Sequence, residues 1–405
     1  MEQSMKPAVV VVCGHGILDP LVSTLMLDYV FRLQAEGAGY RILLVTEEPG
    51  RVEVPDELLV RLRSADVTWF PMSYKIGGRQ FAQRAWNVFR LIEKSFWFVR
   101  GSRTKVVVGF LSMAGSYASV LRTLGFHRFV LVNYEPHSRY MVETGVWREG
   151  SAKARVARYF ERRQLLNADV VVAPATATVD LVRRSGSTAR IVLQGVTVDV
   201  EKNRRRPAQG DLIRQELGLV GNTVLVYAGK FNGLYYSEAD YVRFMAAGCA
   251  QDPHIHHLVI TFPAHAEVLT HLGVAAGLEG RFTVKGPVEP EELPSLLSAA
   301  DLGVVAVPST PSQRFRSPVK SALYWAAGLP IVIAQGVADD WWIAKERKVG
   351  VVVKDLVDLD VAAFSAEISQ LVGTDAGPTQ RRCVQAAMEL RDTGLMVSLL
   401  RQAIS

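Results

Sequence analysis

The 405-residue sequence contains only three cysteines, and Cys13, Cys249 and Cys383 stand far apart with no metal-ligand spacing. A disulfide framework is excluded, and a reducing compartment is implied. No apolar run reaches about 18 residues, the minimum for a helix that crosses a membrane, and no signal-peptide pattern precedes the first expected strand. The expected location is therefore the cytoplasm, either free or peripheral on the inner face of the plasma membrane. Neither sign of charge dominates. The formal net charge of +6 is a modest bias towards phosphates or acidic lipids, and no nucleic-acid-binding motif accompanies it. His254, His256 and His257 precede an expected strand without carboxylates in zincin spacing, so they are expected on the surface, and no metal site is expected.

What is present is apolar sequence, 49% of the chain, enough to bury two cores; the length also suits two domains. Pro7 to Cys13 is a continuous apolar strand, Asp19 to Glu36 an amphipathic helix, and Arg41 to Thr46 the next strand. This βαβ opening predicts a parallel, doubly wound sheet, continued by Val67 to Phe70, Val106 to Phe110 and Phe129 to Asn133. Ligands bind at the carboxyl ends of such strands. Gly14-His15-Gly16 follows the first strand, without forming a GxGxxG fingerprint. Tyr134 to Tyr140 follows another, and there Glu135, His137 and Arg139 bring a carboxylate, an imidazole and a guanidinium together. Plain turns are the alternative for both loops. Ser151 to Asn167 is expected as a basic helix with a solvated face.

Lys285 to Ala334 carries the strongest local signal. A strand ending at Lys285-Gly286-Pro287 precedes a helix expected over Glu289 to Ala300, a buried strand from Leu302 to Val307, and a polar loop. The next helix opens with Ser317-Pro318-Val319-Lys320, where Ser317 is expected as the capping hydroxyl and Pro318 as the first helical residue. The unpaired N–H groups of such a terminus and its dipole favour phosphate. Arg314, Arg316 and Lys320 flank it, which points to a diphosphate. An ordinary βαβ crossover with solvated cations is the alternative.

The run from Glu291 through Ala300-Asp301, Ser317-Pro318-Val319-Lys320 and Tyr324-Trp325-Ala326-Ala327-Gly328-Leu329-Pro330 resembles the donor-binding signature of retaining nucleotide-sugar glycosyltransferases of the GT-B fold, family 4 type. The resemblance implies two Rossmann-like doubly wound domains facing across a cleft, with a C-terminal helix crossing back to the first. The expected division is 1–203, acceptor-binding; 204–385, donor-binding; and 386–405, the returning helix. It also implies sugar transfer from a nucleoside diphosphate to a glycan or lipid-linked acceptor, with retention and with no metal or other cofactor required. Lys230, after Gly229, matches a cation that the family places on the diphosphate. Lys230, Lys320, Glu135 and His137 are thus the expected catalytic residues. Gly229, Lys285, Gly286, Pro287, Val288, Arg314, Arg316, Ser317, Pro318 and Val319 are expected to hold the donor, and His15, Gly14, Gly16 and Arg139 the acceptor. The sequence departs from the family where glutamates are usual, with Leu323 at the ribose position and Phe315 eight residues earlier. Tyr235 stands near the place of a second lysine.

Tyr74 to Lys105 is the remaining signal. Lys75, Arg79, Arg84, Arg90, Lys94, Arg100, Arg103 and Lys105 stand against a lone Glu93, interleaved with Phe81, Trp86, Phe89, Phe96, Trp97 and Phe98. Such a helix suits an anionic membrane surface or packs its aromatics inward. Two rival functions remain on the same fold. A nucleotide-sugar epimerase would want paired carboxylates, whereas a non-catalytic nucleotide- or glycan-binding protein would tolerate the missing glutamates.

Overall fold

The computed structural model of the chain describes residues 6–37, 39–74, 80–373 and 376–405, with the side chains of Gln80 and Phe81 left out. Lys75 and Arg79 of the basic segment, and the Phe81 side chain, lie outside the described residues. The chain divides into two compact units, Met1–Gly195 with Thr393–Ser405, and Val196–Asp392.

The first unit is built on strands β1 (Ala8–Cys13), β2 (Arg41–Glu48), β3 (Val67–Ser73), β4 (Lys105–Phe110), β5 (Arg128–Val132), β6 (Val170–Ala173) and β7 (Arg190–Leu193). They form one sheet in the order β3-β2-β1-β4-β5-β6-β7, every pair parallel. Helices cover both faces of a parallel sheet, so its central strands bury both sets of side chains and read as unbroken apolar runs. Every residue of β1 is buried. The expected helix from Asp19 begins at Leu21, where the Asp19 carboxylate accepts the Leu21 N–H at 2.9 Å. Its first turns, Leu21–Met26, are π-wound before the α-helix Leu27–Ala35.

The second unit carries β8 (Thr223–Ala228), β9 (Ile255–Ile260), β10 (Phe282–Lys285), β11 (Leu302–Val305), β12 (Ile331–Ala334) and β13 (Gly350–Val353), again all parallel, in the order β10-β9-β8-β11-β12-β13. The expected boundary at 203/204 falls inside this unit, because Val198 and Val200 are buried in its core. Ala386 and Ala387 are buried there too, so the expected segment 386–405 is divided. The helix Gly377–Leu390 stays with the second unit, and the helix Thr393–Ile404 belongs to the first, where the Ala403 carbonyl accepts from Arg128 Nη1 at 3.0 Å. The helix expected over Glu289 to Ala300 shortens to Leu293–Ser298, behind a turn closed by Glu292 N–H on the Glu289 carbonyl.

One surface expectation is corrected. The strand expected from His257 starts at Ile255 and buries His256 and His257, leaving only His254 exposed. Burial lowers the His257 pKa to about 3, and its ring lies edge-on to Tyr241 and Phe244. These imidazoles are core residues, and among the described residues no His, Cys, Asp and Glu group is arranged to hold a metal. The basic helix, Ala152–Asn167, has the expected solvated face, with Lys153, Arg155, Arg158 and Arg162 exposed, and buries Ala154, Glu161, Gln164 and Leu165 on the other.

Within the basic segment, the helix Gln80–Phe98 divides its aromatics. Phe96 packs edge-on against Phe126, and Phe98 is buried beneath Arg41. Trp86, Phe89 and Trp97 point outwards, at 55, 56 and 69% exposure. Trp86 and Phe89 stack, and Lys94 lies 5.3 Å from the Trp97 ring. No helix among the described residues is long and apolar enough to cross a membrane.

Candidate functional site

In the second unit Lys230 and Lys320 come together where β8 ends and the helix after β11 begins. Strand β8 stops at Ala228, whose N–H bonds the Tyr324 hydroxyl at 3.0 Å. Gly229 and Lys230 follow. The helix Val319–Ala326 starts one residue later than the sequence predicts. Pro318 is its cap, and the Ser317 hydroxyl makes no capping bond. Instead the Ser317 and Ser321 hydroxyls are both buried without partners. Pro318 takes the cap position with an extended backbone, φ −67° and ψ 126°, and a proline biases the residue before it away from the helical region.

Lys320 is the centre of the arrangement. It is 7% exposed, and its ammonium sits 4.1 Å from the centre of the Tyr235 ring and 5.5 Å from that of Tyr227. Burial lowers its pKa, Tyr235 partly offsets that, and Lys230 lowers it further. Among the described residues no carboxylate pairs with it. A buried charge normally has a counterion, and cation–π contacts supply only part of one. Gly229 belongs to the same device. A Cβ there would stand 2.6 Å from Lys320 Cε and 2.9 Å from Nζ, so only glycine admits the ammonium beneath the strand end.

The remaining expected donor residues belong to the same unit. Lys230 is exposed, and its carbonyl accepts from the Tyr227 hydroxyl at 2.5 Å. Arg314 is exposed with its guanidinium 5.6 Å over the Phe315 ring, and Arg316 is half-buried. The Lys285 carbonyl accepts from Thr261 N–H at 3.0 Å. Gly286 and Pro287 are exposed, with open space around Gly286, while Val288 and Val319 pack on the core. Phe315 is buried and Leu323 packs on the same core, so both positions where glutamates are usual have become hydrophobic packing.

In the first unit, the expected acceptor residues lie at strand ends. Leu111 and Asn133, directly after β4 and β5, hold left-handed backbones, φ 67° and 52°. Such strain persists only where the surroundings enforce it. His137 starts the helix His137–Glu143 and lies edge-on to Trp147, with ring centres 5.6 Å apart. Glu135 is half-buried and Arg139 exposed. Gly14 and Gly16 serve packing: a Cβ on Gly14 would meet Met113 Cβ at 3.2 Å, and one on Gly16 would meet Glu48 Oε2 at 2.5 Å. His15 Nδ1 is buried without a partner.

Two carboxylates escaped the sequence reading. Glu161 accepts from the Ser138 N–H and hydroxyl, both at 2.6 Å, which anchors the turn carrying Glu135 and His137; burial raises its pKa. The signal was a lone acid in a run of arginines. Glu47, at the end of β2, accepts from the Tyr117 hydroxyl at 2.7 Å and is likewise pushed up by burial.

The two-sheet α/β chain thus holds a buried cation beside the end of β8, with no carboxylate partner among the described residues. Residues 22–195 match the model of a glycosyl transferase 4-like domain, and residues 262–373 match that of a glucosyltransferase 3-like C-terminal domain. No curated protein sequence matches the chain. Among solved structures, HepE from Anabaena in complex with UDP aligns with a TM-score of 0.70 at 12% identity, covering 98% of this chain and 99% of that one. Sucrose-phosphate synthase from Thermosynechococcus elongatus gives 0.70 at 17% identity over the same shares. WaaG, a glycosyltransferase involved in lipopolysaccharide biosynthesis, gives 0.66 at 14% identity, also over 98% and 99%. The chain belongs to the glycosyltransferases of the GT-B fold, with a family 4-like first domain.

Proposed function

We propose that this glycosyltransferase moves a hexose from a nucleoside diphosphate sugar to a glycan or lipid-linked acceptor, with retention, in polysaccharide or glycolipid assembly. The observation that carries the reading is the Lys320 ammonium, buried without a carboxylate. A diphosphate is the counterion it lacks. HepE, the structural neighbour bound to UDP and to UDP-glucose, makes UDP-sugars the first donors to test.

In this reading Lys320, Lys230, the arginines and the N–H groups of the helix Val319–Ala326 stabilise negative charge as it develops on the leaving diphosphate. Protein cations carry that load, so turnover should survive EDTA. Glu135 and His137 handle the acceptor and its proton. Phe315 and Leu323 offer the ribose no carboxylate, so its hydroxyls are held by other groups of the loop regions. The exposed aromatics and cations of the helix Gln80–Phe98 bind an anionic membrane, where a lipid-linked acceptor would be met; each basic residue near such a surface contributes about 1 kcal/mol. The protein is then cytoplasmic and peripheral.

The test is a binding screen of nucleoside diphosphates and their sugars by thermal shift, followed by turnover with the donor that stabilises best. Stabilisation by one base series, weakened in Lys320→Ala and Lys230→Ala, is expected. Equal affinity in wild type and both variants would sink the site assignment. Failure to sediment with anionic liposomes at low salt would remove the membrane part alone.

A further inference from the structure

The loop after β8, residues 229–236, carries Gly229, Lys230 and Tyr235, and a network on its far side holds it. Glu238 is buried at the start of the helix Glu238–Gln251, where the helix dipole favours a carboxylate. Its two oxygens are divided. Oε1 lies 2.6 Å from His265 Nδ1, on the helix that follows β9, and Oε2 accepts from Asn232 Nδ2 at 2.8 Å. Asn232 has a left-handed backbone, φ 65°. Its N–H bonds the Tyr236 carbonyl at 3.0 Å, and its carbonyl accepts the Tyr235 N–H at 3.2 Å.

Three further contacts finish the brace. The Phe231 ring packs against Tyr227, Tyr241 and His265, with centres 5.0, 5.5 and 5.8 Å apart. Gln313 Nε2 donates to the Leu234 carbonyl at 2.9 Å, and the Tyr227 hydroxyl holds the Lys230 carbonyl. Burial pushes the Glu238 carboxyl up, but its own backbone N–H, His265 and Asn232 overcome this, so its pKa lies below the usual range. A buried, ionised carboxylate with both oxygens occupied has little left to offer a ligand. Its geometric effect is to fix the turn that places the Tyr235 ring over Lys320.

We propose that Glu238, with Asn232 and His265, is the positioning network of the donor site, setting Tyr235 and Lys230 around the Lys320 ammonium without touching the donor. The inference rests on the reading of Lys320 as the partner of a diphosphate. It predicts that loss of the network lowers nucleotide affinity through Tyr235 and leaves the cation inventory unchanged.

The experiment is a mutant cycle read by calorimetric titration with UDP, GDP and ADP, using the tightest as reporter. Glu238→Ala should weaken binding on the order of tenfold. Asn232→Gly keeps the left-handed turn at no steric cost and removes only the amide, so it carries the test if Glu238→Ala fails to fold; it should also weaken binding. In a Tyr235→Ala background the loss caused by either variant should shrink to within about twofold, because residues acting through one another are not additive. Wild-type affinity in both variants overturns the proposal, as does an undiminished loss in the Tyr235→Ala background. If wild type binds none of the three nucleotides, or Lys320→Ala binds like wild type, the donor-site reading itself fails and this inference fails with it.

Discussion

Among its described residues the second unit buries two cations, Lys320 and Arg391, and they are built in opposite ways. Arg391 Nη2 meets Asp340 Oδ1 at 2.5 Å, with side chains 6 and 0% exposed, and Arg391 also donates to the Leu390 carbonyl. That pair ties the end of the helix Gly377–Leu390 to the start of Asp340–Glu346. Lys320 has similar burial but no carboxylate: its company is a hydrogen bond to Tyr235, the Tyr235 and Tyr227 rings and a neighbouring cation. One charge is paired with a carboxylate by the fold, although Arg391 Nε and Asp340 Oδ2 are buried without partners. The other has no carboxylate among the described residues, and the proposed diphosphate would supply the missing charge, which would separate a structural residue from a binding one.

The largest effect that would break this comparison falls on stability. Asp340→Ala leaves Arg391 buried and unpaired, so it should destabilise by about 3–5 kcal/mol, read by urea unfolding. Nucleotide affinity of the remaining folded protein should stay unchanged. Lys320→Met should do the reverse. Affinity should fall roughly 10- to 100-fold, the worth of a charge-assisted bond, while the ligand-free protein melts at an equal or slightly higher temperature, because a strained binding site is relieved. A ligand-free Lys320→Met protein that melts well below wild type would show that Lys320 is structural after all.

Smaller effects sharpen the contrast. Gly229→Ala should displace the Lys320 side chain and weaken nucleotide binding by about tenfold, checked by titration with the melting temperature as control. Lys230→Ala, an exposed cation, should cost less, about fivefold or under. The last effect is the pH dependence. Burial depresses the Lys320 pKa, so the ammonium is fully present at low pH and is lost as pH rises through that depressed value. Nucleotide affinity should therefore fall on the alkaline side before an ordinary lysine titrates, and Lys320→Met should abolish that limb. For stability the sign is opposite: the unliganded protein carries the penalty of the buried charge below the folded pKa and is relieved of it above.

Much of this fold was legible because its strands are buried on both faces, so Ala8–Cys13 and Thr223–Ala228 appear as unbroken apolar runs. The importance of Lys320 and Lys230 came from the resemblance, since nothing local separates Lys320 from a solvated first-turn lysine. Its burial depends on Tyr227 and Tyr235, contributed by another strand and loop. Ser317 looked like a cap because the residue pattern fits, but Pro318 took that role. Asn232 lies on the loop after β8, Glu238 begins the helix that follows and His265 stands on the helix after β9; they meet only in the folded unit, so no spacing announces them. Glu161 was hidden by its neighbours, a lone acid on a helix whose charge pattern reads as solvent-facing. The outward Trp86, Phe89 and Trp97 and the inward Phe96 and Phe98 were likewise inseparable before packing assigned each its side.

The most direct measurement is the calorimetric titration of wild type and Lys320→Met with UDP, repeated with GDP and ADP, alongside the melting temperatures of both ligand-free proteins. The account predicts that one nucleotide binds wild type, that the variant loses at least about tenfold in affinity, and that the ligand-free variant is no less stable. Equal affinity in the two proteins would contradict it, because the buried ammonium would then have no part in holding the diphosphate.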